Sequence, residues 1–309
     1  MAPTNPPLPA ASPSQPTINL RRLPAGDIHL RAWLFVSGAP KNEINVCPSM
    51  SWLITHPPSG TRLIFDLGIP KDPTCYTPAI QKRITTVAKV EVREDVFDGL
   101  QRAGLDPATD IDTVIFSHLH YDHIGFPRGF GPRTKYVVGP GALGLITGPA
   151  SYPADPNSHF DSNLLPRERT TELPPGTDGS FWSPLGPFPA ARDWFGDGSV
   201  YVVNAPGHLP GHVNLLVRVE REKWVLLGGD SCHDVRILCG QCETSVYRDP
   251  ETGVIRNAHI DKELAEEHLG RIRKLADEVE VVLAHDWEWA RDNPTKYGYL
   301  GTVEGKARI

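Results

Sequence analysis

Nowhere in the 309 residues does an apolar run approach the ~20 positions that a membrane-spanning helix needs, which argues against a transmembrane protein. Lys and Arg never cluster densely enough to track a phosphate backbone, and the formal net charge is −6, so nucleic acid is not an expected partner. Met1 to Gln15 has neither the basic segment nor the apolar segment of a signal peptide. With five prolines before position 14, residues 1–17 read instead as a disordered, partly extended tail. The five cysteines, Cys47, Cys75, Cys232, Cys239 and Cys242, are odd in number and irregular in spacing. That pattern suits free thiols in the cytoplasm better than a disulfide framework. Cys239 and Cys242 are spaced Cys-x-x-Cys, but no second pair exists to complete a four-cysteine metal site.

What the chain does have is 31 prolines and 28 glycines beside 39% apolar residues, a composition that implies a real core with extensive loops. Residues 18–309 are within the normal range for one domain. Ser51 to His56 and Thr61 to Gly68 flank Pro57-Pro58-Ser59-Gly60 and outline a hairpin whose second strand ends on Asp66. Val96, Phe97, Leu100 and Ala103 recur at helical spacing and stop at Gly104. From 139 to 198 the chain is dense in Pro, Gly and Ser and reads as a long loop or lid. His159, inside it, has no partner in the sequence and reads as a surface residue.

The densest chemistry is Ser117-His118-Leu119-His120-Tyr121-Asp122-His123, directly after the short β-branched run Thr113-Val114-Ile115-Phe116. Three histidines and a carboxylate within six residues cannot share one regular face. They read as a loop wrapped around metal at the C-terminal end of a buried strand. The same arrangement recurs: Val200 to Val203 leads to His208, Trp224 to Gly229 ends on Asp230, and Val279 to Ala284 ends on His285. Between the last two, Asp261 offers an N-cap for a helix placing Leu264, His268, Ile272 and Leu275 on one face.

The His-x-His-x-Asp-His run resembles the signature of the metallo-β-lactamase superfamily, and it matches at every position. The resemblance implies an α/β fold, a four-layer αββα sandwich with the metal site at the edge between two sheets. It also implies a ligand set for two Zn²⁺ ions: His118, His120 and His208 for the first, Asp122, His123 and His285 for the second, with Asp230 bridging. Asp66 matches a residue that orients the metal loop, and His212 is expected to be a structural partner. Zinc lowers the pKa of bound water to ~7, so a di-zinc hydrolase opening an ester, thioester or amide is implied, with Asp122 as the catalytic proton carrier.

Together with Ala205-Pro206-Gly207-His208-Leu209-Pro210-Gly211-His212 and Ala284-His285-Asp286, the run is most similar to the acyl-homoserine-lactone lactonase branch. One position departs from it. Those lactonases carry a Tyr three residues after the bridging Asp, contacting the substrate, and here that residue is His233. A histidine donates a comparable bond and titrates near neutrality, which suits a poorer leaving group. The expected substrate is therefore a small-molecule lactone or lactam, with a detoxifying lactamase acting on benzoxazolinone-type rings as the leading reading. A homoserine-lactone lactonase and a glyoxalase II-like thioesterase are the alternatives.

Overall fold

The computed structural model describes residues 7–249 and 253–303. In the first half the strands are Asn19–Leu23 (β1), Asp27–Arg31 (β2), Ile44–Pro48 (β3), Ser51–His56 (β4), Thr61–Phe65 (β5), Val90–Glu91 (β6), Thr113–Ile115 (β7), Lys135–Val138 (β8) and Thr170–Glu172 (β9). The second half holds Ser183–Leu185 (β10), Phe188–Asp193 (β11), Val200–Asn204 (β12), Val213–Glu220 (β13), Lys223–Leu227 (β14), Val246–Arg248 (β15), Ile255–Asn257 (β16) and Val279–Val282 (β17). The α-helices are Pro78–Thr86 (α1), Val96–Arg102 (α2), Tyr121–Ile124 (α3), Val235–Leu238 (α4), Lys262–Arg273 (α5) and Trp287–Asp292 (α6).

Two six-stranded sheets organise these elements, one ordered β1-β4-β5-β7-β8-β9 and the other β10-β11-β12-β13-β14-β17. Side chains alternate across each strand, so each sheet buries both faces. Ile54, Leu63, Phe65 and Ile115 meet Val202, Leu215, Val217, Val225 and Leu227 between the sheets. Their neighbours Leu53, Ile64 and Val114 face outward onto Ile80 and Ile84 of α1 and Val96 and Leu100 of α2. On the far side, Val203, Leu216 and Leu226 pack under Leu269 and Ile272 of α5. The result is the αββα sandwich, and no described helix is long and apolar enough to cross a membrane.

Three details differ from expectation. The segment 139–198 is not all loop, since it supplies β9 to one sheet and the β10–β11 hairpin to the other. Prolines 184, 187 and 189 disguise that hairpin, and β10 tolerates its proline because it is an edge strand. On α5 the buried face is Ala265, His268, Leu269 and Ile272, while Leu264 is 41% exposed. Residues 7–17 of the expected disordered tail are seated along the second sheet, and residues 1–6 lie outside the described residues. Arg218 Nη2 donates to the Pro9 carbonyl at 2.7 Å, Arg221 Nη1 to Pro13 at 3.1 Å, and Gln15 Nε2 to Asp197 at 2.8 Å. Proline lacks an N–H but keeps its carbonyl, so a pre-extended proline segment suits arginine donors.

Candidate metal centre

Each sheet delivers its ligand-type side chains just beyond strand C-termini. β7 runs into Ser117 to His123, and the chain after β12 turns back at Gly207-His208. β14 runs into Gly228-Gly229-Asp230, and β17, parallel to it, ends three residues before His285.

All seven expected ligands converge, in two groups whose ligand atoms lie within 4.8 Å of one another: His118, His120, His208 and Asp230, and Asp122, His123 and His285. In the first group His118 Nε2 is 2.9 Å from His120 Nδ1 and 3.2 Å from His208 Nε2, and His208 Nε2 is 3.0 Å from His120 Nδ1. A tetrahedral zinc with nitrogens at about 2.0–2.1 Å separates its ligands by about 3.3 Å, close to this spacing. Asp230 lies between the groups. Its Oδ2 faces His208 Nε2 at 3.3 Å and His118 Nε2 at 3.6 Å, and its Oδ1 faces His123 Nε2 at 3.2 Å and His285 Nε2 at 3.4 Å. Asp122 Oδ2 closes the second group 3.4 Å from His285 Nε2.

Two polar atoms at the centre, His123 Nε2 and Asp230 Oδ1, are buried and face each other at 3.2 Å without an aligned hydrogen bond. Such atoms cost about 1–3 kcal/mol each unless a ligand satisfies them, and a cation between the two would satisfy both. In the first group the protonation states fit as well, whereas at His123 and His285 burial is outweighed by the nearby carboxylates, which raise both rings, so these two would release a proton to a metal. Burial, reinforced by neighbouring imidazoles, holds His118 and His208 well below the ordinary histidine range and His120 at about 4, so all three present lone pairs at neutral pH. Burial opposes ionisation of Asp122 and Asp230, yet the surrounding histidines keep Asp122 at about 2 and Asp230 well below the carboxylate range. This donor set of imidazoles and carboxylates suits a divalent transition metal.

The orientation of these ligands is fixed from behind. Asp66, at φ 60°, accepts the Ser117 backbone N–H at 2.6 Å with Oδ1, and its Oδ2 lies 2.9 Å from His123 Nδ1. His285 Nδ1 donates to the Pro48 carbonyl at 2.9 Å, and His118 Nδ1 meets Ser117 Oγ at 3.0 Å. His212 is no part of either group. Its Nδ1 donates to the Ala205 carbonyl at 2.8 Å and its Nε2 accepts the Asp230 N–H at 3.0 Å, the supporting role expected of it. His233 sits over the centre, Nε2 3.1 Å from Asp230 Oδ2, with its ring 4.6 Å from Phe35.

His159 is exposed and lies apart from both groups, in a cleft of about 190 Å³ with Tyr76, Gly125, Asp161 and Leu164. Cys239 is exposed and Cys242 half-buried, and both are free thiols. Two neighbours of the centre carry no motif signal. His259 Nδ1 lies 3.2 Å from His208 Nδ1, and Asn214 Nδ2 donates to the Gly228 carbonyl at 2.7 Å, behind the turn that presents Asp230.

A family model described as the metallo-beta-lactamase superfamily matches residues 44–229. The chain is 35% identical over 191 residues to the gamma-lactamase MBL2 of Gibberella moniliformis, covering 60% of this chain and 74% of that protein. It is 34% identical over 251 residues to the cytochrome P450 monooxygenase mpaDE of Penicillium roqueforti, covering 76% of this chain and 28% of that protein. The chain thus spans little more than a quarter of that longer relative. Among solved structures, a quorum-quenching N-acyl homoserine lactone lactonase superposes with a TM-score of 0.64 at 18% identity, over 90% of this chain and 96% of that one, which shows the shared fold. With its sandwich, its converging ligands and these matches, the chain belongs to the metallo-beta-lactamase superfamily.

Proposed function

We propose that this protein is a metal-dependent hydrolase that opens a cyclic amide or cyclic ester, with a γ-lactam or benzoxazolinone-type ring as its substrate and detoxification as its role. The observation carrying this reading is the convergence of His118, His120, His208 and Asp230 with Asp122, His123 and His285. Two zinc ions would fit these two groups, His118, His120 and His208 holding the first, Asp122, His123 and His285 the second, with Asp230 between them contributing to both. When bound, zinc supplies a water acidified to near neutrality and a Lewis acid for the carbonyl oxygen. The similarity to a protein named gamma-lactamase supports the cyclic-amide choice. Five free thiols accord with a cytoplasmic location.

The remaining chemistry falls to the chain's own groups. Opening the ring adds a water oxygen to the carbonyl carbon and breaks the ring C–N or C–O bond, so one proton must reach the leaving atom. Asp122, whose Oδ2 lies 3.4 Å from His285 Nε2, would help hold the second ion, and its carboxylate would take up and return that proton. His233 Nε2 lies 3.1 Å from Asp230 Oδ2, its ring against those of His208 and His285, and once turned from that carboxylate it would donate its N–H to the leaving atom or the carbonyl oxygen. An amide nitrogen leaves poorly unless protonated, so a donor here matters more for a lactam than for a lactone.

The test is hydrolysis of a size-matched pair, a benzoxazolinone and an acyl-homoserine lactone, by the zinc-loaded wild type and a His233→Tyr variant. Wild-type preference for the cyclic carbamate, with a loss of about 10²-fold or more in kcat/KM on that ring alone in the variant, supports the reading. Preference for the lactone, unchanged by the substitution, would place the enzyme with the lactonases and leave His233 without a catalytic role.

A further inference from the structure

Every nitrogen ligand that reaches the centre through Nε2 has a second ring nitrogen with a partner behind it, and the partners differ in kind. His123 is backed by the Asp66 carboxylate, His285 by the Pro48 carbonyl and His118 by the Ser117 hydroxyl. His208 is backed by another imidazole, His259, from a segment 51 residues away. Because His208 Nε2 is aimed at His118 and His120, its proton sits on Nδ1 and is donated to His259 Nδ1, which leaves the proton of His259 on Nε2.

His259 is held for this task. It is 6% exposed, its backbone N–H donates to Asn257 Oδ1 at 2.7 Å, and its ring lies 5.2 Å from that of His208 and 5.7 Å from that of His233. The same segment grips the backbone of the ligand turn. Ile260 N–H donates to the His208 carbonyl at 3.0 Å and Asp261 N–H to the Gly207 carbonyl at 2.8 Å. Gly207, at φ 123°, approaches so closely that an added Cβ would lie 2.2 Å from the Ala265 nitrogen. The turn carrying His208 is therefore clasped by residues 259–261 at three points, of which the side-chain bond alone fixes the rotation of the His208 ring.

We infer that His259 is a positioning residue for one metal position only, the one served by His118, His120 and His208. Its hydrogen bond sets the ring plane and tautomer of His208 and raises its basicity as a ligand. The inference rests on the metal-dependent reading proposed above, and it adds that the two positions differ in what supports them: a carboxylate behind the second, a neutral imidazole behind the first.

The experiment is competitive zinc titration of the full chain against a chromogenic chelator, with cobalt substitution read by its visible absorption bands. His259→Leu and His259→Met both remove the acceptor, so one can stand in if the other fails to fold. His259→Asn restores an acceptor at the same number of bonds from Cα as Nδ1. The wild type is expected to bind two equivalents. The Leu and Met variants should bind one of them about 10–100-fold more weakly and the other unchanged, while Asn returns the weakened site to within a few-fold of wild type. Two wild-type affinities in Leu or Met, or an Asn variant as weak as Leu, would overturn the role of the hydrogen bond and leave the metal reading standing. A wild-type chain that binds no zinc or cobalt would overturn both.

Discussion

His268 lies on α5 and reaches the centre only through Asn214. Its Nε2 donates to Asn214 Oδ1 at 2.7 Å, while Asn214 Nδ2 donates to the Gly228 carbonyl and to Ser231 Oγ, so this amide braces both sides of Asp230. The other nitrogen, His268 Nδ1, is buried without a partner, and burial lowers the ring to about 3. The unfolded chain takes up a proton near 6.5 and the folded chain does not. The stabilisation is therefore complete above about pH 6.5 and declines as the pH falls toward 3. One such group contributes about 2 kcal/mol of loss between pH 6.5 and 5. His268→Gln keeps an N–H at the same reach and removes the titration. Urea unfolding of the metal-free protein at the two pH values should show the variant losing about 2 kcal/mol less than wild type, and an identical loss would contradict this account. The sequence placed His268 on one face of α5 but not its bond to Asn214, and it carried no signal for His259, because the meaning of both lies in contacts across long stretches of chain. His118 to His123 were legible for the opposite reason: four ligand-type residues crowd one loop directly after a buried strand.

Strand ends were the most readable elements. The hairpin of β4 and β5, the Asp95-capped α2 and the strands leading to His118, Asp230 and His285 all follow from apolar runs with clear stops. The β10–β11 hairpin was not readable, since its prolines weigh against strand in any local reading and its edge position is a property of the assembled sheet. The contact between α5 and the 205–212 turn depends on one missing side chain. Gly207→Ala would set a Cβ 2.2 Å from the Ala265 backbone nitrogen at a φ that L-residues rarely adopt. It should destabilise the fold by about 1–3 kcal/mol, measured by thermal or denaturant unfolding. A stability unchanged within about 0.5 kcal/mol would mean that the turn and helix are not in register as described.

In the whole molecule, two sheets with hydrophobic faces on both sides are held by helices outside, and the loops at one shared edge are free to carry chemistry. The seven ligand-type side chains come from both sheets, so a metal held by them would also tie the two halves of the chain together. That architecture was legible because four separate strands end on ligand residues. The substrate was not legible to the same degree, since a scaffold shared with lactonases does not fix which ring its site accepts. The most direct test of the central claim is mass spectrometry of a benzoxazolinone or γ-lactam incubated in ¹⁸O-labelled water with the zinc-loaded protein and with the chelator-stripped protein. The account predicts a ring-opening product seen only with zinc bound, with the label scored in the new carboxyl oxygen of the opened γ-lactam and opening of the benzoxazolinone scored as the aminophenol left when its carbamate loses carbon dioxide. An intact ring with the loaded protein across a panel of cyclic amides and esters would contradict it.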